Sequence, residues 1–353
     1  MLIRQNGPGF GSSNPYSQPG ETQVSLSTRN LRSTDHYSSD VEQVQRQTLG
    51  TYVVNIQHAI DATATRTVTE RLSMSVGVPF VAASWGIPSP TTPRPGPRAD
   101  ENAHGLGDIS VSGRYWLLPT SHFTTGNISA GVGVKMPTGN AASMDTYPDR
   151  NGNSSQPRYV DQSVQPGDGG WGLMFELAAF RRLGSAAQLF GSANYLANPR
   201  DKNTTTSGSI NRLPPNTEPT GNSDRFHNSV PDQFMARLGV AVPNRQSGFA
   251  ASIAWRTEGM PRYDLIGASH GFRRPGIEMF IEPGFSYAKG SQVYSFQVPI
   301  AYYRNRFPDP YTGASGDATF PNYIFLASYG YRFGSKSGKS DTAICPIDHK
   351  ENQ

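Results

Sequence analysis

Cysteine, long apolar runs and hydrophobic residues in general are all scarce in this sequence. Its 353 residues include a single cysteine, Cys345, so a disulfide framework and a cysteine-based metal site are excluded. No run of about 18 apolar residues occurs, which excludes a transmembrane helix. Hydrophobic residues make up 35% and the mean hydropathy is −0.52, which is low for a large dry core. Membrane-spanning β-strands remain possible, because each needs only about 9–11 residues and half of them can be polar.

Charge clusters and catalytic motifs are scarce as well. The net charge is +4 and the Lys and Arg residues are scattered, so we expect no nucleic-acid partner. The seven histidines are dispersed without metal-type spacing, and no serine is marked as a nucleophile. GSKSGKS (334–340) lacks the spacing of a phosphate loop, and DRNGNSS (149–155) lacks the glycine and glutamate of a calcium loop. We therefore expect no metal, no cofactor and no enzyme activity.

Alternating segments are abundant instead. In RLSMSVGVPF (71–80), apolar and polar residues alternate with a period of two, which is typical of a β-strand with two different faces. Gly (37) and Pro (28) are frequent between such segments, as β-rich chains with many turns require. Twelve segments of this kind are predicted: 23–29, 51–60, 71–80, 108–118, 127–136, 171–180, 187–196, 233–242, 248–256, 277–287, 293–303 and 322–333.

The connections decide between a soluble sandwich and a membrane barrel. Short and long connections alternate along the chain, which a meander produces when all short turns lie at one end. Greek-key connections of a sandwich would mix the two lengths. The sequence therefore predicts an all-β fold: a single antiparallel up-and-down transmembrane β-barrel of about 12 strands, with short periplasmic turns and long extracellular loops. We expect a flexible N-terminal leader at 1–20, the barrel at 21–333 and a polar C-terminal tail at 334–353.

In such a barrel the apolar face meets lipid and the polar face lines the lumen, where opposite charges can pair. Lipid-facing residues are predicted in the third strand. They are Leu72, Met74, Val76, Val78 and Phe80. Charged residues on the opposite faces are predicted to line the pore. They are Arg71, Arg114, Glu176, Arg237, Arg256, Glu278, Glu282 and Arg332. We also expect the loops at 137–169 and 197–230 to fold into the mouth.

Several short motifs carry a family resemblance. GLGDISVSGRYWLLP (105–119), AGVGVKMPTG (130–139) and RLSMSVGVPF resemble the outer-membrane β-barrels of the phenol meta-degradation-pathway family. YRF (331–333) is similar to the aromatic last strand that barrel-assembly machinery recognises, although this chain continues beyond Phe333. The resemblance implies an outer-membrane channel for small organic compounds, including aromatic ones, with the lipid and the assembly machinery as partners.

The functional expectation is passive diffusion through a narrow charged lumen in a bacterial outer membrane. MLIRQNGPGFGSSNPYSQPG (1–20) has no apolar signal region, so we expect the signal peptide upstream of this chain. Two alternatives remain open: a structural or adhesive barrel with a plugged lumen, and a lipid-modifying outer-membrane enzyme. The sequence sets neither the solute nor the oligomeric state.

Overall fold

The alternating segments form the strands of a nearly all-β structure, a computed structural model that describes residues 16–88, 98–148, 155–207, 226–244, 246–310, 313 and 316–334. Helical structure in these residues is limited to α1 (Gln45–Thr48), a 3-10 turn at Gln162–Val164 and the single 3-10 residue Phe226. No helix in the described part of the chain is long and apolar enough to cross a membrane. The strands are β1 (Thr22–Ser38), β2 (Val41–Glu42), β3 (Val54–Thr67), β4 (Leu72–Pro88), β5 (Arg98–Leu106), β6 (Ser110–Trp116), β7 (Gly126–Lys135), β8 (Met144–Pro148), β9 (Ser155–Tyr159), β10 (Gly172–Leu183), β11 (Ala187–Ala197), β12 (Lys202–Thr206), β13 (His227–Ser229), β14 (Gln233–Asn244), β15 (Phe249–Met260), β16 (Gly276–Lys289), β17 (Gln292–Gln297), β18 (Ile300–Arg306) and β19 (Asp317–Phe333).

Twelve strand positions close into one antiparallel barrel. Their order is β1, β3, β4, β6, β7, β10, β11, β14, β15, β16, then β17 with β18, then β19, which pairs back onto β1. The closing ladder runs from the pair Thr22 and Phe333 to the pair Ser38 and Asp317. The predicted fold class, a single barrel of 12 antiparallel strands, is confirmed.

The strand formed by β17 and β18 is interrupted at Val298 and Pro299, because proline cannot donate to the ladder. Beyond this break, β18 pairs with β16 along its length but with β19 only through Ile300 and Tyr323. The Arg304 side chain covers the weak seam by donating from Nε and Nη2 to the carbonyl of Pro321, at 3.3 and 3.2 Å.

Short connections join β3 to β4, β6 to β7, β10 to β11, β14 to β15 and β16 to β17; we call that end of the barrel the turn end and the opposite end the loop end. Several strands run further than the sequence indicates. β3 continues to Thr67, beyond the predicted segment 51–60. The segment 82–105, which lies between the predicted strands 71–80 and 108–118, contains the end of β4 and the strand β5 paired with it. Extra strand pairs, β8 with β9 and β12 with β13, lie within the connections at the loop end.

The two faces of the wall differ sharply in chemistry. On β7, Val132 exposes 64% of its surface to the outside, whereas the alternate residues Ser129 and Lys135 are buried inside. The same alternation on β14 leaves Leu238 62% exposed. A contiguous apolar belt of this kind is unfavourable in water and favourable in lipid.

Outward-facing aromatic side chains form a band at the turn end. The rings of Phe249, Tyr287, Tyr294 and Tyr329 follow one another across β15, β16, β17 and β19, with centroid separations of 4.5, 6.2 and 5.0 Å. Along β19, outward aromatics extend from Tyr323 to Phe333. At about 3.3 Å per residue and a tilt of about 40°, that span is roughly 25 Å high, the height of a membrane apolar band.

Gly239 on β14 provides a test of lumen packing. A Cβ atom there would lie 2.6 Å from Ala254 Cβ and 2.7 Å from the ring of Phe190, so Gly239→Ala overpacks the interior. We expect a loss of about 1–3 kcal/mol in the free energy of unfolding. The urea midpoint of heat-modifiable gel migration measures it. The control is Gly191→Ala, where the nearest atom would be 3.4 Å away; equal midpoints for the two variants would contradict the packing described.

Candidate functional site

A chain of ion pairs crosses the lumen at mid-height. Arg29 on β1 donates to Glu258 on β15, with Nη1 to Oε2 at 3.2 Å, although three strand positions lie between β1 and β15 in the wall. Arg256 then joins Glu258 (Nε to Oε2, 3.0 Å) to Glu282 (Nη1 to Oε2, 3.2 Å). Arg237 ends the ion-pair chain. Its Nη2 lies 2.8 Å from Glu282 Oε1, where it forms an ion pair without the geometry of a hydrogen bond. These side chains narrow the lumen, and their charges neutralise one another.

A second pair lies on another part of the wall, where Arg114 Nη2 donates to Glu176 Oε2 at 2.8 Å. These residues belong to β6 and β10, which are separated by β7. Gly131 on β7 makes the contact possible, since a Cβ there would lie 3.3 Å from the Glu176 side chain.

Apolar side chains also point into the lumen. Phe280, Ile324 and Leu326 form a buried cluster that packs with Leu31 and Ala301. On the other side, the guanidinium of Arg237 lies 4.9 Å from the centre of the Phe190 ring, a cation–π geometry. Together with the ion-pair chain, these groups fill much of the cross-section.

At the turn end, the N-terminal segment enters the barrel. The Tyr16 ring packs edge-on against the inward-facing Trp116 and Phe180, with centroids at 5.0 and 5.8 Å. Its hydroxyl donates to the carbonyl of Phe123 at 2.6 Å and accepts from Asn127 Nδ2 at 3.0 Å. Burial raises the pKa of Tyr16 above its ordinary value, with smaller opposing effects of Asn127 and Arg182.

At the loop end, residues 161–166, here named the inserted turn, fold into the mouth. Gln57 Nε2 donates to the carbonyl of Ser163 at 2.8 Å, and Asn55 Nδ2 donates to Ser163 Oγ at 3.2 Å. From another part of the wall, Arg274 donates to both carboxylate oxygens of Asp161, at 2.8 and 2.6 Å. Burial opposes a charged Arg274, but the pair with Asp161 outweighs it and raises the pKa of the guanidinium above its usual range.

Two cavities border the inserted turn. The larger one has a volume of about 560 Å³ and reaches down to Arg29, Glu258 and Glu278. The smaller one, about 70 Å³, lies against Asp108, Lys135 and Glu176. Gln57, Ser163 and Gln165 line both cavities, so the inserted turn forms the partition between them.

The GLGD and MPTG motifs meet in space and bind the backbone just beyond the inserted turn. Thr138 Oγ1 donates to the carbonyl of Gly107 at 3.1 Å and accepts from the backbone N–H of Ile109 at 2.8 Å. Asp108 accepts from the backbone N–H groups of Gly139 and Asp168, at 2.9 and 3.2 Å. Burial, with repulsion by Asp168, raises the pKa of Asp108 to about 6 against the attraction of Lys135.

Most of the charged residues predicted from sequence meet in the lumen. Arg237, Arg256 and Glu282 belong to the ion-pair chain, Arg114 pairs with Glu176, and Glu278 lines the larger cavity. A role in conduction stays a prediction for all of them.

Arg71 and Arg332 are placed apart from the others. Arg71 lies at the rim of the turn end, where it stacks over the outward-facing ring of Tyr115 at 4.5 Å and donates to the carbonyl of Trp116 at 2.8 Å. Arg332 is inward-facing near the end of β19, where its backbone N–H donates to Ser291.

The residues predicted to meet lipid lie on the outer face of β4. Met74, Val76 and Phe80 are exposed there, and Leu72 and Val78 are partly exposed. Contact with lipid itself stays a prediction for these five.

Sequence reasoning missed Glu258, Tyr16 and Phe280 as lumen residues. Glu258 lies just beyond the predicted strand 248–256, and Tyr16 lies in a segment predicted to be a flexible leader. Phe280 occupies an inward position of β16, where alternation gives no reason to expect an aromatic side chain. In the described part of the chain, no group of three or more acidic, His or Cys side chains is arranged to hold a metal.

No family model matches the sequence, and no curated protein matches it. Among solved structures, an outer-membrane channel from Pseudomonas putida F1 is similar, with a TM-score of 0.57 at 10% identity over 94% of this chain and 100% of that chain. That likeness shows a shared fold. Two further structures are more distantly similar. They are the translocator domain of the autotransporter NalP from Neisseria meningitidis (TM-score 0.43, 10% identity, 90% of each chain) and a Pseudomonas aeruginosa FadL homologue (TM-score 0.42, 8% identity, 94% of this chain and 99% of that chain).

Glu258 is the centre of the ion-pair chain, because it accepts hydrogen bonds from both Arg29 and Arg256. In Glu258→Gln, Arg29 loses its carboxylate partner inside the lumen and Arg256 keeps only Glu282. We expect the free energy of unfolding to fall by about 3 kcal/mol or more, read from the urea midpoint. Glu70→Gln, at an exposed site in the turn between β3 and β4, is the control. Identical midpoints would show that the ion-pair chain contributes nothing.

Asp108 gives the barrel a pH dependence. Its pKa is about 6 in the folded protein against an ordinary 3.8, so its contribution to stability is complete below about pH 4 and is lost as pH rises through 6. The loss amounts to at most about 3 kcal/mol at 1.36 kcal/mol per pKa unit. Asn mimics the protonated carboxyl, so urea midpoints of wild type and Asp108→Asn should be similar at pH 4, and the wild type should fall below the variant as pH rises to 7.5. Parallel profiles would contradict the assignment.

Proposed function

We propose that this protein is a bacterial outer-membrane channel that lets small organic solutes diffuse through a narrow lumen. The observation that carries the proposal is a closed barrel with an apolar outer belt, whose interior holds a cavity of about 560 Å³ above a chain of ion pairs. A wall of this kind needs lipid outside and tolerates water inside. In this orientation the turn end faces the periplasm and the loop end faces the cell exterior.

The solute class follows from size and lining. A barrel of 12 strands lies between the filled barrels of about eight strands and the open porins of about sixteen, and its lumen is further reduced by Phe190, Phe280 and the ion-pair chain. Membership of the phenol meta-degradation-pathway family, and with it aromatic solutes, is part of the proposal and rests on the sequence motifs. The activity we assign is conduction of solutes, without catalysis.

A structural barrel with a closed lumen is the second candidate. The inserted turn at one end and the Tyr16, Trp116 and Phe180 rings at the other both obstruct the axis. If neither moves, solutes cannot pass, and the external loops would carry the function.

Planar-bilayer recording of the purified full chain separates the two candidates. We expect small, discrete conductance steps in wild type, because the lumen is narrow but lined with polar groups. A protein that shows heat-modifiable migration, and is therefore folded, yet gives no steps would overturn the channel proposal in favour of the closed barrel.

Tyr16 tests the obstruction at the turn end. Tyr16→Ala removes a ring that packs on Trp116 and Phe180, so single-channel conductance should rise by about twofold or more. Tyr329→Ala removes an outward-facing tyrosine and is the matched control, with no change expected. Equal conductance of Tyr16→Ala and wild type would show that the narrowest point lies elsewhere.

A further inference from the structure

The larger cavity has the composition of a solute-binding site. Its volume of about 560 Å³ lies within the range of about 300–1,000 Å³ that is usual for small-molecule pockets. Its wall is rich in uncharged hydrogen-bonding side chains contributed by several strands and by the inserted turn. Apolar side chains, among them Trp85, Ile277 and Phe320, complete it.

The arginines in the wall of this cavity are already engaged by carboxylates of the protein. Arg29 pairs with Glu258 and Arg46 with Asp317. Arg274 is held at Asp161 by two hydrogen bonds, as described above. An anionic solute would have to compete with these carboxylates while losing its own hydration, which makes its entry costly.

Two polar groups of the wall are buried without a partner. Asn228 on β13 is fully buried, and neither its Oδ1 nor its Nδ2 has a hydrogen-bond partner among the described residues. Glu278 is 9% exposed, and its Oε1 is likewise without a partner in this part of the chain. Both residues line the larger cavity. Buried polar atoms are rarely left unbonded, because each such atom costs free energy; a bound molecule can supply the missing bonds.

The donor and acceptor pattern sets the chemistry of that molecule. The Asn228 amide offers one donor group and one acceptor, and the Glu278 carboxyl offers a further oxygen for hydrogen bonding. A hydroxyl or amide group can donate and accept at once, whereas a carboxylate can only accept and an ammonium can only donate. The apolar side chains suit an apolar body attached to such a group.

We propose that the larger cavity binds an uncharged organic solute with an apolar body and a hydroxyl or amide group, which Asn228 and Glu278 recognise by hydrogen bonds. This deepens the proposed function, on which it rests for the route by which the solute arrives. It assigns selectivity to the loop-end cavity, above the ion-pair chain.

Four probes of nearly equal size test the proposal on the purified full chain. Benzyl alcohol carries the hydroxyl, toluene lacks a polar group, benzoate is an anion and benzylamine at pH 7 is a cation. Isothermal titration calorimetry with detergent-matched blanks gives the dissociation constants. We expect benzyl alcohol to bind about tenfold more tightly than each of the other three, as one good hydrogen bond allows. Benzoate or benzylamine binding as tightly as benzyl alcohol, or no binding of benzyl alcohol, overturns the proposal.

Asn228→Leu keeps the approximate side-chain volume and removes the amide. We expect it to bind benzyl alcohol about tenfold more weakly and toluene unchanged, a difference that general damage to the cavity would not produce. Asn30→Leu, on the outer face where Asn30 contacts His58, is the matched control. Heat-modifiable migration checks folding, and Asn228→Ala replaces Asn228→Leu if that variant does not fold. Equal loss of benzyl alcohol and toluene binding would contradict the assigned role of Asn228.

Bilayer recordings on the same preparations keep the two proposals apart. Conductance without preferential binding of benzyl alcohol would reject the binding site and leave the channel standing. Preferential binding without conductance would reject the channel and retain the site.

Discussion

Backbone hydrogen bonding across the closing ladder is the constraint on which the whole structure depends. A wall with an apolar outer surface cannot leave a strand edge unpaired, since lipid offers no hydrogen bonds. The register of β1 against β19, from Thr22 with Phe333 onwards, removes both edges at once. Once the perimeter is closed, every second residue of each strand must face the lumen, and the side chains there have to fill or neutralise one another.

The interior meets this demand by pairing charge across the lumen. Opposite charges attract more strongly where water is scarce, but an unpaired charge is correspondingly costly. The link between Arg29 and Glu258 ties strands that are not neighbours in the wall, so the ion-pair chain also braces the barrel cross-section. The space left over is a cavity bounded by the inserted turn on one side and by Glu258 and Glu278 below.

Period-two alternation was enough to predict the number of strands and which face of β4 carries Met74 and Val76, because one wall has only two sides. It could not predict contacts between segments far apart in sequence. Tyr16 lies more than a hundred residues from Asn127, and its leader is polar and rich in glycine. Alternation places Arg71 on the inward-facing side, but at a strand end its long side chain can turn outward onto Tyr115. The motifs GLGD and MPTG carry the family resemblance. In the structure they are joined by a hydrogen bond from the backbone N–H of Gly139 to Asp108, a contact that sequence alone does not reveal.

Closure also brings the two ends of the barrel segment together. A Cβ on Gly334 would lie 3.4 Å from the carbonyl oxygen of Gly20, so a short peptide could join them without disturbing β1 or β19. The strands thus form a closed ring, and a covalent connection between Gly20 and Gly334 would make the chain of the barrel cyclic as well. A circular permutant opened between Gly290 and Ser291 would keep every strand pairing while making β16 the last strand. The aromatic terminal strand and the closing ladder, which coincide in the natural order, would then become separable properties.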